Sequence, residues 1–192
     1  MQRWQKIARR IRVPLGFLTA ALYLYELWQT SLNPKALAAS LLLVIPGVWL
    51  RGYAAGYVKK NRELTQTGPY AHTRNPLYLG SILIAMGFAV ALLNWVVAAA
   101  LAVMFLVIYV PVIASEERFL RGAFPDFGDY CSRVPRLLPR LTPAPSDVPP
   151  GNFSFSLYLR HREYNAAIGA ALLYLCLLFL RPVFSVLVHR LH

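Results

Sequence analysis

A chain of 192 residues that is 57% hydrophobic, with mean hydropathy +0.46, is too apolar for an ordinary soluble domain of its size. It reads as an all-α, polytopic integral membrane protein. The net charge of +12 invites a nucleic-acid partner, but the placement of the cations excludes that reading: 17 of the 20 Lys and Arg lie on one side of the membrane spans assigned below. They mark the cytoplasmic face and attract anionic lipid head groups.

Five spans are expected, at about 13–32, 36–58, 76–93, 95–114 and 165–188, each near the roughly 20 residues a bilayer requires. They form one domain over residues 1–192, with a cytoplasmic segment at 115–164. The charge asymmetry places the N-terminus in the cytoplasm and the C-terminus outside, and the small size points to a prokaryotic inner membrane. Cations crowd the first twelve residues, but the run after them holds Glu26 and tyrosines, so it reads as a retained span, not a signal peptide. Glu26 is costly inside a bilayer and is expected near the outer interface. Span two contains Pro46, which should kink it. Its inner end carries Gly52-Tyr53-Ala54-Ala55-Gly56, a spacing of small residues that reads as close packing. Arg51 beside it either snorkels to the head groups or contacts an anion; both readings stand.

The stretch GPYAHTRNPLYLG, residues 68–80, introduces span three. Asn75 suits an N-cap and Pro76 the first helical position. That leaves Tyr70, Arg74 and Tyr78 to explain. A helix start favours an anion, and Arg74 strengthens the preference; tyrosine faces suit a cation. Spans three and four are joined by the short uncharged turn Leu92-Leu93-Asn94-Trp95, so their other ends must meet again at the cytoplasmic face. There the 68–78 stretch should converge with Ser115-Glu116-Glu117-Arg118. Two acids at the end of an apolar span oppose the helix dipole, which favours a use for them: one accepts from an ammonium or hydroxyls while the helix start takes a carboxylate.

Residues 119–164 mix Phe119, Leu120, Phe124 and Phe127 with charges, then carry six prolines. Interfacial amphipathic pieces are expected, serving as a lid or a strap. At the start of span five, Arg160 and Arg162 read either as a basic flank or as an acceptor site holding an anionic head group. Cys131 and Cys176 lie at different levels, so no disulfide is expected. The four histidines show no metal-ligand spacing, and no metal is assigned. Asn152-Phe153-Ser154 matches a glycosylation sequon but falls in a cytoplasmic loop.

These residues carry a resemblance. Gly68-Pro69-Tyr70 followed by Arg74-Asn75-Pro76-Leu77-Tyr78-Leu79-Gly80 is similar to the R-H-P-x-Y-x-G signature of the isoprenylcysteine carboxyl methyltransferases and their prokaryotic relatives. Glu116-Glu117, Phe127-Gly128-Asp129-Tyr130 and Val134-Pro135-Arg136 resemble that family's second half. Asn75 departs from the usual His. Phospholipid N-methyltransferases are similar in carrying N-P-x-Y followed by Gly-Ser, here Asn75 to Ser81, and a paired Glu.

The resemblance implies a membrane-embedded, S-adenosylmethionine-dependent methyltransferase with a cofactor pocket open to the cytoplasm and a lipid-side entrance for its substrate. It implies that Tyr70, Asn75, Pro76, Leu77, Tyr78, Gly80 and Glu117 bind the cofactor. Arg74 and Glu116 are expected to act in catalysis, with Arg162 at the acceptor. The acceptor is expected to be an isoprenylcysteine-type carboxylate or similar lipophilic molecule; the alternative is a phospholipid amine. Expected partners are a lipophilic or lipidated substrate and membrane lipids, with no nucleic acid. Two other classes compete: an NADPH-dependent sterol-type reductase, and a non-catalytic scaffold or transporter. No G-x-G occurs among the 11 glycines, which disfavours a soluble dinucleotide-type fold.

Overall fold

The computed structural model describes residues 17–30, 32–59 and 62–180. Among the described residues every regular element is helical. Helix α1 occupies residues 17–29. Helix α2, Pro34–Ala55, starts where the Asn33 side chain accepts from the Lys35 and Ala36 N–H groups and Pro34 fills the first position, the expected chemistry of a helix start. Helix α3 is Pro76–Leu92. Leu93 then takes a left-handed conformation, φ 49°, and Asn94 caps α4 by accepting from the Val96 and Val97 N–H groups. These two residues make the tight hairpin.

Helix α4 runs without interruption over Trp95–Ala123, 29 residues, with a π-helical turn at Phe105–Tyr109. About 20 residues cross a hydrocarbon core at 1.5 Å each, so its last turns project past the apolar stretch. Short helices α5, Phe127–Arg133, and α6, Phe155–Arg160, follow. Helix α7 begins at Tyr164 and runs on as a π-helix over Cys176–Leu180.

Helices α2 and α4 are long and apolar enough to cross a membrane, while Pro76–Leu92 and Tyr164–Phe179 are shorter apolar helices. Large apolar side chains such as Phe17, Leu42, Trp49, Leu106 and Phe179 are exposed, as on helices that face lipid. Together these features support membrane association. Parts of the first and fifth expected spans (13–16, 31 and 181–188) lie outside the described residues. Pro46 sits inside α2.

The main core gathers Tyr23 and Leu27 of α1, Val44 of α2, Phe88 and Leu92 of α3, Val97 of α4 and Leu177 in the π-helical end of α7. Ser40 of α2 and Tyr174 of α7 share a hydrogen bond of 2.6 Å inside this apolar layer. Glu26 accepts from the Asn94 side chain at 2.6 Å, so it lies against the α3–α4 turn, where a polar partner offsets its burial.

Small residues bring α2 and α3 together, but at Gly47, Gly80 and Gly87. A Cβ on Gly80 would stand 2.7 Å from the Gly47 carbonyl oxygen, and one on Gly87 2.9 Å from that of Ser40. The expected Gly52–Gly56 pair also packs closely, though against aromatic rings of the returning chain: Tyr158 for Gly52 and Phe153 for Gly56.

A second, smaller core of Phe127, Tyr130, Val134 and Ala144 anchors a strap, residues 134–154. The strap is tied to the 71–75 stretch by backbone bonds: Arg74 N–H to Pro135 O, Arg140 N–H to His72 O and Ala144 N–H to Ala71 O, each 2.9 Å.

Candidate active site

The two polar stretches of the sequence meet where the start of α3 lies against the C-terminal part of α4. Tyr78 donates to Glu116 at 2.9 Å, and Arg74 lies 3.4 Å from Glu117. Between them opens a cavity of about 480 Å³. Its wall includes Tyr70, Arg74, Asn75, Pro76, Leu77, Tyr78, Glu116 and Glu117, all singled out from the sequence. It also includes Arg51, Glu63, Ser81, Tyr109 and Glu163.

Two of the sequence-selected residues stand apart. Gly80 does not line the cavity; its Cα faces Gly47 and the Arg51 stem in the α2–α3 contact. Arg162 does not line it either. It sits at the α6–α7 joint with φ 55°, and its neighbour Glu163 faces the cavity instead.

The local chain explains the geometry. Gly68, at φ 59°, opens a 3-10 turn over Gly68–Ala71; any Cβ there would also strike Tyr57 at 2.5 Å, so only glycine fits. Tyr70 is buried in this turn, and Tyr130 donates to its carbonyl at 2.8 Å. Burial pushes both phenols well above the usual tyrosine range, so they act as neutral hydroxyls.

Asn75 occupies the N-cap position of α3, yet its side chain makes no capping bond. Its amide donates instead to Arg136 O in the strap, at 2.9 Å, and the Thr73 hydroxyl donates to Arg136 O and Leu137 O at 3.2 Å. The first-turn N–H groups of α3, which have no intrahelical partners, therefore receive no cap from Asn75.

The expectation that the acids follow the end of span four is corrected. Helix α4 continues to Ala123 and ends where Phe124 takes an extended conformation before Pro125, which disfavours a helical residue ahead of it. Glu116 and Glu117 therefore lie inside the helix. The dipole acts within the last turn, so it does not penalise them.

The two acids differ in surroundings. Glu117 accepts from Arg136 Nε at 3.1 and 3.0 Å through its two oxygens and also pairs with Arg136 Nη2. With Arg74 on its other side it lies between two guanidiniums. The Glu117 hydrogen bonds raise the Arg136 pKa above its usual value. Glu116, among the described residues, is the lining carboxylate outside an ion pair. The Tyr78 ring meets Tyr109 edge-on at 5.6 Å, and the π-helical turn ends at Tyr109. Arg74 donates to Cys131 Sγ at 2.6 Å, while its Nε is buried with no hydrogen-bond partner among the described residues.

Replacing Tyr78 with Phe removes the hydroxyl that donates to Glu116, an exposed bond that solvent screens, worth about 1 kcal/mol. A roughly fivefold loss of ligand affinity at this site is expected, read by calorimetric titration, with the unfolding temperature little changed.

Helices with an exposed apolar surface around a polar, ion-paired cavity support membrane association and leave room for a polar ligand. Residues 35–126 match the family model described as phospholipid methyltransferase. This match supports the class of membrane methyltransferases; it spans α2, α3, the signature stretch and the Glu pair.

Among curated proteins, the chain is similar to the cobalt-zinc-cadmium resistance protein CzcN of Cupriavidus metallidurans, at 35% identity over 68% of this chain and 62% of that protein. It is also similar to the nickel-cobalt-cadmium resistance protein NccN of Alcaligenes xylosoxydans xylosoxydans, at 38% identity over 50% of this chain and 44% of that protein. The matches thus span less than two thirds of either relative. No solved structure matches.

Sequence reasoning left Arg51 between two readings and did not select Glu63, Ser81, Tyr109 or Glu163. The Gly80-Ser81 pair had been noted only as part of a motif. Nothing local in the sequence distinguishes Tyr109 from its apolar neighbours; the π-helical turn does.

Proposed function

We propose that the protein transfers a methyl group from S-adenosylmethionine to a lipophilic acceptor at the cytoplasmic membrane face. The observation that carries this reading is the complementarity of the cavity to an amino acid that also bears a sulfonium. The Glu116 carboxylate, which among the described residues is in no ion pair, suits a cation, with the Tyr78 and Tyr109 rings beside it. The buried Nε of Arg74, without a partner among the described residues, and the start of α3, which Asn75 does not cap, suit a carboxylate. S-adenosylmethionine supplies an electrophilic methyl group when bound.

The chain's own residues bind, orient and exclude water. Tyr70 and Tyr130 give neutral walls, and Glu117 holds Arg74 and Arg136 together. Orientation of two reactants is the main gain available to such a transfer. We place the proposed cation contact at Glu116 and not at Glu117, because Glu117 is already held by two arginines. The acceptor enters from the membrane side and bears either an isoprenylcysteine-type carboxylate or a lipid amine. The names of the two relatives bring a metal-resistance setting to this reading, in which the protein would act on a membrane component. We further place the protein in a prokaryotic inner membrane with the cavity facing the cytoplasm.

Calorimetric titration of the detergent-purified protein with S-adenosylhomocysteine tests the reading. Saturable binding, weakened about tenfold by Glu116→Gln, is expected. Binding of NADPH with no response to S-adenosylhomocysteine would replace methyl transfer by the reductase reading.

A further inference from the structure

The outer side of the strap carries an apolar patch. Leu138 is 82% and Leu141 99% exposed, and Pro139 and Arg140 between them are exposed as well. The inward positions of the strap, Val134 and Ala144, pack into the second core. Backbone bonds fix the chain on both sides of the two leucines: Pro135 O accepts from Arg74, and Arg140 and Ala144 donate to His72 O and Ala71 O. The leucines are therefore held outward, and their surface meets whatever lies outside the fold.

The strap runs at the level where the helices leave the apolar layer. Its start is bonded to residues 71–75, directly before Pro76 opens α3. Its end is bonded to the C-cap of α2, where Ser154 N–H donates to Gly56 O at 2.9 Å. Irregular backbone is not tolerated in exposed contact with hydrocarbon. At the interface, by contrast, leucine side chains can dip into the acyl region while the backbone stays hydrated. The charge of the strap suits the same place. Residues 133–145 hold Arg133, Arg136 and Arg140 and no acid. Glu117 pairs with Arg136. Arg133 and Arg140 donate to neutral acceptors and, among the described residues, form no ion pair.

We infer that residues 138–141 are a docking surface for the anionic leaflet beside the helices. Leu138 and Leu141 enter the upper acyl region, and Arg133 and Arg140 stand at the charged lipid surface. An anionic leaflet matches both features of the patch, its apolar side chains and its uncompensated cations. A second copy of this chain, at net charge +12, matches only the first. Leu138, Arg140 and Leu141 do not line the cavity, so the lipids they meet form a surface and are not the methyl acceptor. The inference is independent of the methyl-transfer reading.

The test reconstitutes the full chain into nanodiscs of phosphatidylcholine alone, or of equal parts phosphatidylcholine and phosphatidylglycerol. Tryptic cleavage after Arg140 is then followed by mass spectrometry. Cleavage after Arg62, off the strap, is the internal reference for protease drawn to the charged disc. Relative to that reference, cleavage after Arg140 should be about fivefold slower in the anionic discs, the effect of roughly one arginine at a charged surface. High salt should reverse the protection. Leu138→Gln combined with Leu141→Gln should remove it and leave the unfolding temperature in detergent unchanged, because both side chains are exposed. Equal cleavage in the two kinds of disc overturns the inference, as does a double variant that keeps the protection. Protection that grows with protein concentration in detergent assigns the patch to a second copy and overturns docking on lipid.

Discussion

Glu117→Gln is expected to lower the stability of the protein by about 3 kcal/mol, a fall of roughly 6–12 °C in the unfolding temperature for a chain of this size. The cause is what the carboxylate holds. Glu117 is 13% exposed and Arg74 15% exposed, so removing the acid strands a largely buried guanidinium whose Nε already lacks a partner. The same carboxylate holds Arg136, whose carbonyl accepts from Asn75 and Thr73. Loss of Glu117 therefore also frees one of the points at which the strap is fixed.

Arg136→Gln provides the contrast. Arg136 is 44% exposed, and an exposed partner is worth little once solvent screens it, under about 1 kcal/mol. Thermal unfolding of the two variants in one detergent, with limited proteolysis of the strap, checks the ordering. The sequence resemblance points elsewhere, to Glu117 as a cofactor contact whose loss weakens cofactor binding more than it harms folding. An unchanged unfolding temperature with lost S-adenosylhomocysteine binding would restore that assignment.

How far the site was legible in the sequence follows from the range of the signals. The meeting of the 68–78 stretch with the Glu116-Glu117 pair could be read because a short turn forces α3 and α4 to be antiparallel neighbours. Pro76 at the start of α3 is local chemistry, and it was equally legible. The role of Asn75 was not, because its amide turns to Arg136 O, 61 residues away. The two glutamates could not be told apart, since Arg136 reaches Glu117 only through the folded strap. Nor could the Arg51–Glu163 pair be seen: its partners are 112 residues apart, and no hairpin or period links them. The end of α4 was set too early because apolarity stops at Ala114, whereas helical hydrogen bonding continues through polar residues until Phe124-Pro125.

The Gly47–Gly80 contact carries the other large expectation. Within the signature, Gly80 resembles a cofactor-binding position, but the structure gives it a packing role. A Cβ at Gly80 would stand 2.6 Å from Arg51 Cγ and 2.7 Å from the Gly47 carbonyl oxygen; one at Gly47 would stand 2.8 Å from the Gly80 carbonyl oxygen. Backbone oxygens cannot yield as a flexible side chain can, so α2 and α3 must separate. Each Ala substitution should cost roughly 1–3 kcal/mol, and the double variant less than the sum, because the first already opens the crossing that the second needs. Gly169→Ala is the control: a Cβ there meets nothing within 4 Å, and alanine in a helix is neutral or slightly stabilising. Separation of the helices also carries Arg51 away from Ser81 and Leu77. Loss of S-adenosylhomocysteine binding at unchanged unfolding temperature would instead return Gly80 to the cofactor.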